Sequence, residues 1–239
     1  MACRLSAAGH RVVLTARSVA GLQETAGQCP GPTLVMPVDV TSFADVERLF
    51  DEVEQEWGTV DVLILNAGAS TSGPLRKVTN EDWQRMLDLN LTAPFYCLRR
   101  AVPGMVEQGY GRVVTVASVA AQGGAPYLAA YCASKHGVLG LMRSAAAELA
   151  RTGVTVNTVC PAYVDTAIID DIVYGIMDRR PGRITEEQVR AFLERQQPIG
   201  RMVTTDEVAD AVLLCVDNAA ITGEDISVDG GVVKLKMPS

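Results

Sequence analysis

The chain has 239 residues, 28 acidic against 21 basic side chains, a net charge of -7 and 48% hydrophobic residues. That length and apolar content specify one folded domain with a sizeable core and exclude a disordered chain. The acidic balance argues against a nucleic-acid surface, which needs clustered Lys and Arg; Arg179, Arg180 and Arg183 make only a short solvated basic patch.

The opening residues read as the back half of a helix that runs into a strand over 12–16. A second strand over 34–38 ends at Asp39-Val40. Ser42 then caps a helix, with Asp45 completing a capping box. Val46, Leu49, Phe50, Val53 and Trp57 give that helix one apolar face, and Gly58 stops it. The near-continuous apolar run 60–65 is a strand buried on both faces. Asn80 caps a long helix carrying Trp83, Met86, Leu87 and Leu91. A strand over 112–117, a long helix over 131–150 and a strand over 154–160 follow. The pattern loosens over 165–200 around Pro181-Gly182. A helix over 206–216 and a strand over 226–228 close the chain. Alternation of this kind predicts an α/β fold, a single doubly wound parallel sheet of Rossmann-like type.

Six cysteines (Cys3, Cys29, Cys97, Cys132, Cys160, Cys215) lie scattered without a C-x-x-C pair. They read as buried free thiols in a reducing compartment, not as disulfides. The two histidines, His10 and His136, have no partner at ligand spacing, so no metal site is expected. No apolar run has the length of a signal-peptide core or a membrane span, and a cytoplasmic protein is expected.

The chemistry gathers at the carboxyl ends of the predicted strands, where open α/β sheets bind ligands. Tyr131 and Lys135 stand at i and i+4 on one helix face. A free tyrosine has a pKa of about 10, and a neighbouring ammonium pulls it toward the working range of an acid or base. Ser118 ends the preceding strand and can donate to the same carbonyl oxygen. Asn66-Ala67-Gly68 and Pro161-Ala162-Tyr163-Val164-Asp165-Thr166 follow two further strands to that edge. The small Ala67 and Gly68 let backbone approach a ligand closely.

In combination these motifs, with Asn90-Leu91-Thr92, Val156-Asn157 and Asp229-Gly230-Gly231, resemble the short-chain dehydrogenase/reductase family over essentially the whole chain. The resemblance implies Tyr131 as proton donor and acceptor and Ser118 as the group that orients the substrate carbonyl. Lys135 would lower the tyrosine pKa and hold the nicotinamide ribose, and Asn90 would interrupt its helix and anchor a water. Asp39 and Val40 would border the adenine, Asn66, Ala67 and Gly68 the adenosine side, and Pro161, Val164 and Thr166 the carboxamide and phosphate end. Arg17 stands after the strand where NAD binders carry an acid, which favours NADP over NAD.

Two features depart from the family pattern. The first strand and its glycine-rich turn, about 15–20 residues, do not appear. That strand belongs between those at Val12 and Val60, so its lack would leave unpaired backbone edges or force those two to pair. A start lying upstream of Met1 is the simplest explanation. Ala162 also stands where glycine is usual.

The stretches 134–138, 148–153 and 198–201 look most like 3-oxoacyl carrier-protein reductases and polyketide ketoreductases. NADPH-dependent reduction of a ketone to a secondary alcohol is therefore expected, on an acyl-thioester or polyketide-like substrate that could ride on a carrier protein. The segment 165–200 would be the substrate lid. Two alternatives stay open: oxidation of a steroid, sugar or small alcohol, and a non-catalytic truncated relative. A homotetramer or dimer is expected by analogy.

Overall fold

The computed structural model describes residues 1–178 and 182–235. Its strands are β1 (Val12–Ala16), β2 (Thr33–Pro37), β3 (Val62–Leu65), β4 (Gly111–Val116), β5 (Val154–Pro161) and β6 (Asp225–Val228). Helices α1 (Ala2–Ala7), α2 (Val19–Gln28) and α3 (Phe43–Trp57) come first, then α4 (Asn80–Leu87) and α5 (Ala93–Glu107), which a π-helical turn over Asp88–Thr92 joins. The long α6 (Ala129–Leu149), α7 (Ala167–Asp178), α8 (Glu186–Arg195) and α9 (Thr205–Asp217) complete the chain. Every strand pairing is parallel.

Alternation along the strands explains the layers. Leu63, Leu65, Val113, Val154 and Val156 pack into one apolar cluster with residues of α3, α5 and α6. Their neighbours Val62, Ile64, Val114 and Val159 point the other way, into a cluster with α9. A strand buried on both faces has to divide its side chains in this way, and helices on both faces make the sheet doubly wound.

The strands form two sheets instead of one: β1-β2, and β3-β4-β5-β6 in that order. Among the described residues no strand stands between β1 and β3, so no ladder joins the halves. They share a core all the same. Val13, Leu34, Met36 and Val38 pack in the same cluster as Leu63 and Leu65. Across the molecule, Arg4 on α1 donates to the Asp206 carbonyl at 3.2 Å and pairs with Asp210, which ties α1 to α9.

Some local expectations need correction. Thr79, not Asn80, caps α4, because its hydroxyl accepts from Asp82 N at 3.0 Å. Ser42 does cap α3 and Gly58 does end it, with φ +84°. Asp45 makes no capping box, since its carboxylate is taken by Arg48 at 3.1 Å. The loose stretch 165–200 holds two helices. Ile169 and Val173 of α7 pack on Val189 and Leu193 of α8 in a small core of their own. Arg183 is exposed, while Arg179 and Arg180 lie outside the described residues. Only Cys97, Cys160 and Cys215 are buried; Cys3, Cys29 and Cys132 are half-buried, and all six are free.

Candidate active site

Three elements deliver the reacting side chains. Two residues past the end of the β4 ladder stands Ser118, whose backbone is extended and whose hydroxyl accepts from Ala120 N at 3.1 Å. That bond caps a 3-10 turn over Val119–Ala121 and fixes the hydroxyl at the sheet edge. Helix α6 begins just before Tyr131 and carries Lys135 one turn later, both on the side turned to β4 and β5. The Ser118 hydroxyl stands near enough to the Tyr131 phenol to favour its ionised form, and the Lys135 ammonium sits 5.8 Å from the centroid of the Tyr131 ring.

Asn90 joins this group from the π-helical turn, a widening of the helix that recurs at functional sites. Its side chain is 1% exposed and fully used. Nδ2 donates to the Ala69 carbonyl at 3.0 Å and to Ser134 Oγ at 3.1 Å, and Oδ1 accepts from Ala69 N at 3.1 Å. The loop after β3 is thereby clamped over α6. Gly68 lies in the clamp, where a Cβ would stand 3.1 Å from Asn90 Oδ1 and 3.4 Å from Lys135 Nζ.

Burial governs the electrostatics. Lys135 is 5% exposed; desolvation lowers its pKa to about 8, and its ammonium donates to the Val116 carbonyl at 3.3 Å. Desolvation also raises the Tyr131 phenol, with the nearby Ser118 hydroxyl opposing it. Against the expected lowering of Tyr131 by Lys135, burial raises the phenol. The i, i+4 spacing brings the groups together, but the depth that excludes water from both costs more than their attraction returns. Cys160, beside them on β5, is pushed up by burial to about 11 and stays a neutral thiol.

The remaining candidates line the same edge. Asn66, Ala67 and Gly68 are exposed at the end of β3. Arg17 is exposed after β1, close enough to Asp39 to favour its carboxylate, which also accepts from Thr41 N at 3.0 Å and Thr41 Oγ1 at 2.7 Å. Val40 packs against the larger core. Pro161 ends β5, Val164 bridges to Val203, and the Thr166 hydroxyl turns back to the Val164 carbonyl at 3.2 Å.

Four residues that sequence reasoning did not single out support the site. Ser134 donates to the Tyr131 carbonyl at 2.8 Å. Gln122, just past Ser118, donates to Asp225 at 2.8 Å, and Arg143 of α6 holds the other oxygen of Asp225 at 2.9 Å. No local pattern announces these contacts, since Gln122 and Asp225 lie 103 positions apart.

A nicotinamide nucleotide fits these residues. Gly68 leaves beside Asn90 and Lys135 a cradle that a methyl group would fill, and Arg17 with Asp39 offers polar groups at the end of β1. Lys135 and the loop after β3 would hold the ribose side, and Arg17 the far ribose.

The chain is similar to known proteins along most of its length. The family model described as "Enoyl-(Acyl carrier protein) reductase", of the short-chain dehydrogenase/reductase type, matches residues 1–233. The D-beta-hydroxybutyrate dehydrogenase of Rhizobium meliloti (strain 1021) is 36% identical over 211 residues, 87% of this chain and 81% of that protein. The 3-oxoacyl-(acyl-carrier-protein) reductase of Escherichia coli (strain K12) is 32% identical over 230 residues, 95% of this chain and 89% of that one. A variant of actinorhodin polyketide ketoreductase, crystallised with NADPH, superposes with a TM-score of 0.93 at 34% identity, covering 98% of this chain and 92% of its own. Sequence and fold thus assign the chain to the short-chain dehydrogenase/reductase family of oxidoreductases.

Proposed function

We propose that the chain reduces a ketone to a secondary alcohol with NADPH, the ketone being borne on a 3-oxoacyl thioester or polyketide-like chain. The observation that carries this reading is the gathering of Ser118, Tyr131 and Lys135 at the sheet edge, with the buried Lys135 ammonium over the tyrosine ring. When bound, NADPH supplies the hydride that reaches the carbonyl carbon. Tyr131 Oη gives its proton to the carbonyl oxygen while Ser118 Oγ donates to the same atom. The raised pKa of the phenol keeps it protonated at neutral pH, which suits a proton donor. Lys135 then returns a proton to the phenolate, since an amine held near 8 gives one up more readily than an ordinary lysine does. Asn90 holds the loop after β3 against α6 so that these atoms keep their places.

Arg17 supports NADPH over NADH: the end of β1 offers a guanidinium where an acid would repel a ribose phosphate. The helices α7 and α8 stand beyond β5, where the reading puts the lid over the substrate. In this reading the chain works in the cytoplasm as a homo-oligomer, for which the half-exposed Phe43 and Phe95 around Arg99 offer an apolar, cationic face. Oxidation of a hydroxy acid is a second reading, favoured by the kinship with a D-beta-hydroxybutyrate dehydrogenase.

The test is a fluorescence titration with NADPH and NADH, followed by a screen of 3-oxoacyl thioesters, cyclic ketones and 3-hydroxybutyrate. Tighter binding of NADPH, with ketone turnover lost in Tyr131→Phe, is the expected result. Turnover of 3-hydroxybutyrate alone would favour the second reading, and a folded protein that binds neither cofactor would defeat both.

A further inference from the structure

Two of the six cysteines meet. Cys3 on α1 and Cys29 at the C-terminal cap of α2 are 26 positions apart in sequence, yet their sulfurs lie 3.8 Å from each other, with the Cys29 thiol donating. A disulfide bond is about 2 Å long, so side-chain rotation and a small shift of the short α1 bring the atoms to bonding distance. Both residues are half-buried, within reach of a small oxidant. Cys97, Cys160 and Cys215 are buried, pushed up to about 11 and isolated, which makes them inert. Cys132 is half-buried but has no partner sulfur among the described residues.

The pair sits at a mechanical junction. Alongside it, the Ser6 hydroxyl accepts from Gly31 N at 2.8 Å, so α1 already touches the loop between α2 and β2 at two points. From its other side α1 reaches α9 through Arg4. It therefore links the two-stranded sheet to a helix packed on the four-stranded one.

We propose that Cys3 and Cys29 form a reversible disulfide that staples α1 to the β1–α2–β2 unit. The oxidant is a small disulfide of the glutathione class. One protein thiolate attacks its S–S bond and forms a mixed disulfide, releasing one small thiolate. The second protein thiolate attacks the mixed disulfide at the protein sulfur, forming Cys3–Cys29 and releasing the other. Two protein thiols are oxidised, one small disulfide is reduced to two thiols, and the two thiol protons pass to the released thiolates. Burial and the contact with Cys3 raise the Cys29 thiol, so the reaction speeds up with alkaline pH.

The full chain is incubated over a series of reduced-to-oxidised glutathione ratios, quenched with an alkylating agent and mapped as unreduced peptides. The expected product is one peptide joining the Cys3 and Cys29 segments, reversed by dithiothreitol, with the thermal midpoint of the oxidised protein raised by several degrees. Cys29→Ser and Cys3→Ser each lose the linked peptide and the stabilisation, while Cys132→Ser keeps both. Glutathione remaining on Cys3 or Cys29 without resolving, oxidation confined to Cys132, or a linked form no more stable than the reduced one would overturn the proposal.

Discussion

Asn90 reaches Tyr131 through Ser134: Nδ2 of Asn90 donates to Ser134 Oγ at 3.1 Å, and that hydroxyl donates to the Tyr131 carbonyl at 2.8 Å. Ser134 is fully buried, and the Met86 sulfur at 3.8 Å is a weaker acceptor for that Asn90 N–H. Ser134→Ala strands one Asn90 N–H in the interior, at a cost of about 1–3 kcal/mol. The expected outcome is a folded protein with a lower urea midpoint and about tenfold slower turnover. Asn90→Ala removes the clamp on Ala69 as well and is expected to cost more on both counts. Equal turnover in Ser134→Ala and the parent would show that the Tyr131 carbonyl needs no such support.

Lys135 carries a stability cost that function requires. Its pKa is about 8 in the folded protein against 10.5 for an ordinary lysine. Below pH 8 both states hold the proton, and the fold bears the buried charge at about 3 kcal/mol. Between 8 and 10.5 the folded state releases its proton first, so the unfolded chain binds more protons and stability rises with pH. Lys135→Met removes the charge. It is expected to be inactive and about 1–3 kcal/mol more stable than the parent at pH 7, an advantage that fades between pH 8 and 10.5. Denaturant titrations at pH 7 and at the top of that range check the window, and a variant less stable at pH 7 would show that the bond to Val116 outweighs desolvation.

Gly68→Ala separates activity from stability. The backbone there is ordinary, so no strain arises from φ. The added methyl would stand 3.1 Å from Asn90 Oδ1 and 3.4 Å from Lys135 Nζ, tighter than most such contacts. The fold is expected to lose under about 1 kcal/mol, while NADPH affinity or turnover falls about tenfold. Unfolding curves and a fluorescence titration on the same preparation read both quantities.

Much of this arrangement is legible in the residues, and the illegible parts share a cause. The run 60–65 reads as a strand buried on both faces because every position but Asp61 is apolar, and β3 is that strand without its first two residues. Ser42 and Gly58 mark the ends of α3 because caps are local chemistry. At α4, Thr79 and Asn80 are both competent caps, and the bond to Asp82 N decides for Thr79. Helix α7 is hidden because its Ile169 and Val173 are buried by α8, a partner beyond Pro181-Gly182. Tyr131, Lys135 and Ser118 show by spacing, whereas the direction of the Tyr131 shift depends on depth, which spacing does not encode. The division into two sheets follows from the lack of a strand between β1 and β3, and the lack is visible in the sequence. That the two halves still share one core through Val13 and Leu34 is not.

Arg17 gives a test of cofactor choice. It is exposed after β1, with Asp39 as its charged neighbour. Arg17→Ala is expected to weaken NADPH binding about tenfold, the scale of one charge-assisted contact of about 1.4 kcal/mol, and to leave NADH unchanged. Competition titrations with the two nucleotides measure the ratio. An equal loss for both would assign Arg17 to the shared part of the nucleotide.

Gly153 and Gly58 both hold left-handed backbone, with φ of +81° and +84°, yet their replacements should differ sharply. At Gly58 an added Cβ meets nothing within 4 Å. Gly58→Ala therefore costs only the conformational term at the end of α3, about 1–3 kcal/mol for φ +84° with ψ -168°. At Gly153 the Cβ would lie 2.1 Å from the Gly109 carbonyl oxygen, a backbone atom in the turn that leads from α5 into β4. Relief requires moving that turn against β5, whose ladder with β4 begins at the Gly111–Val154 pair. Buried Arg112 also donates to the Gly153 carbonyl at 3.2 Å, so the displacement would break a second contact. Gly153→Ala is expected to cost more than about 3 kcal/mol and to lower expression of folded protein, whereas Gly58→Ala stays closer to the parent midpoint. Thermal unfolding of the two variants side by side separates steric exclusion from φ preference, and equal midpoints would mean that the turn at Gly109 yields freely.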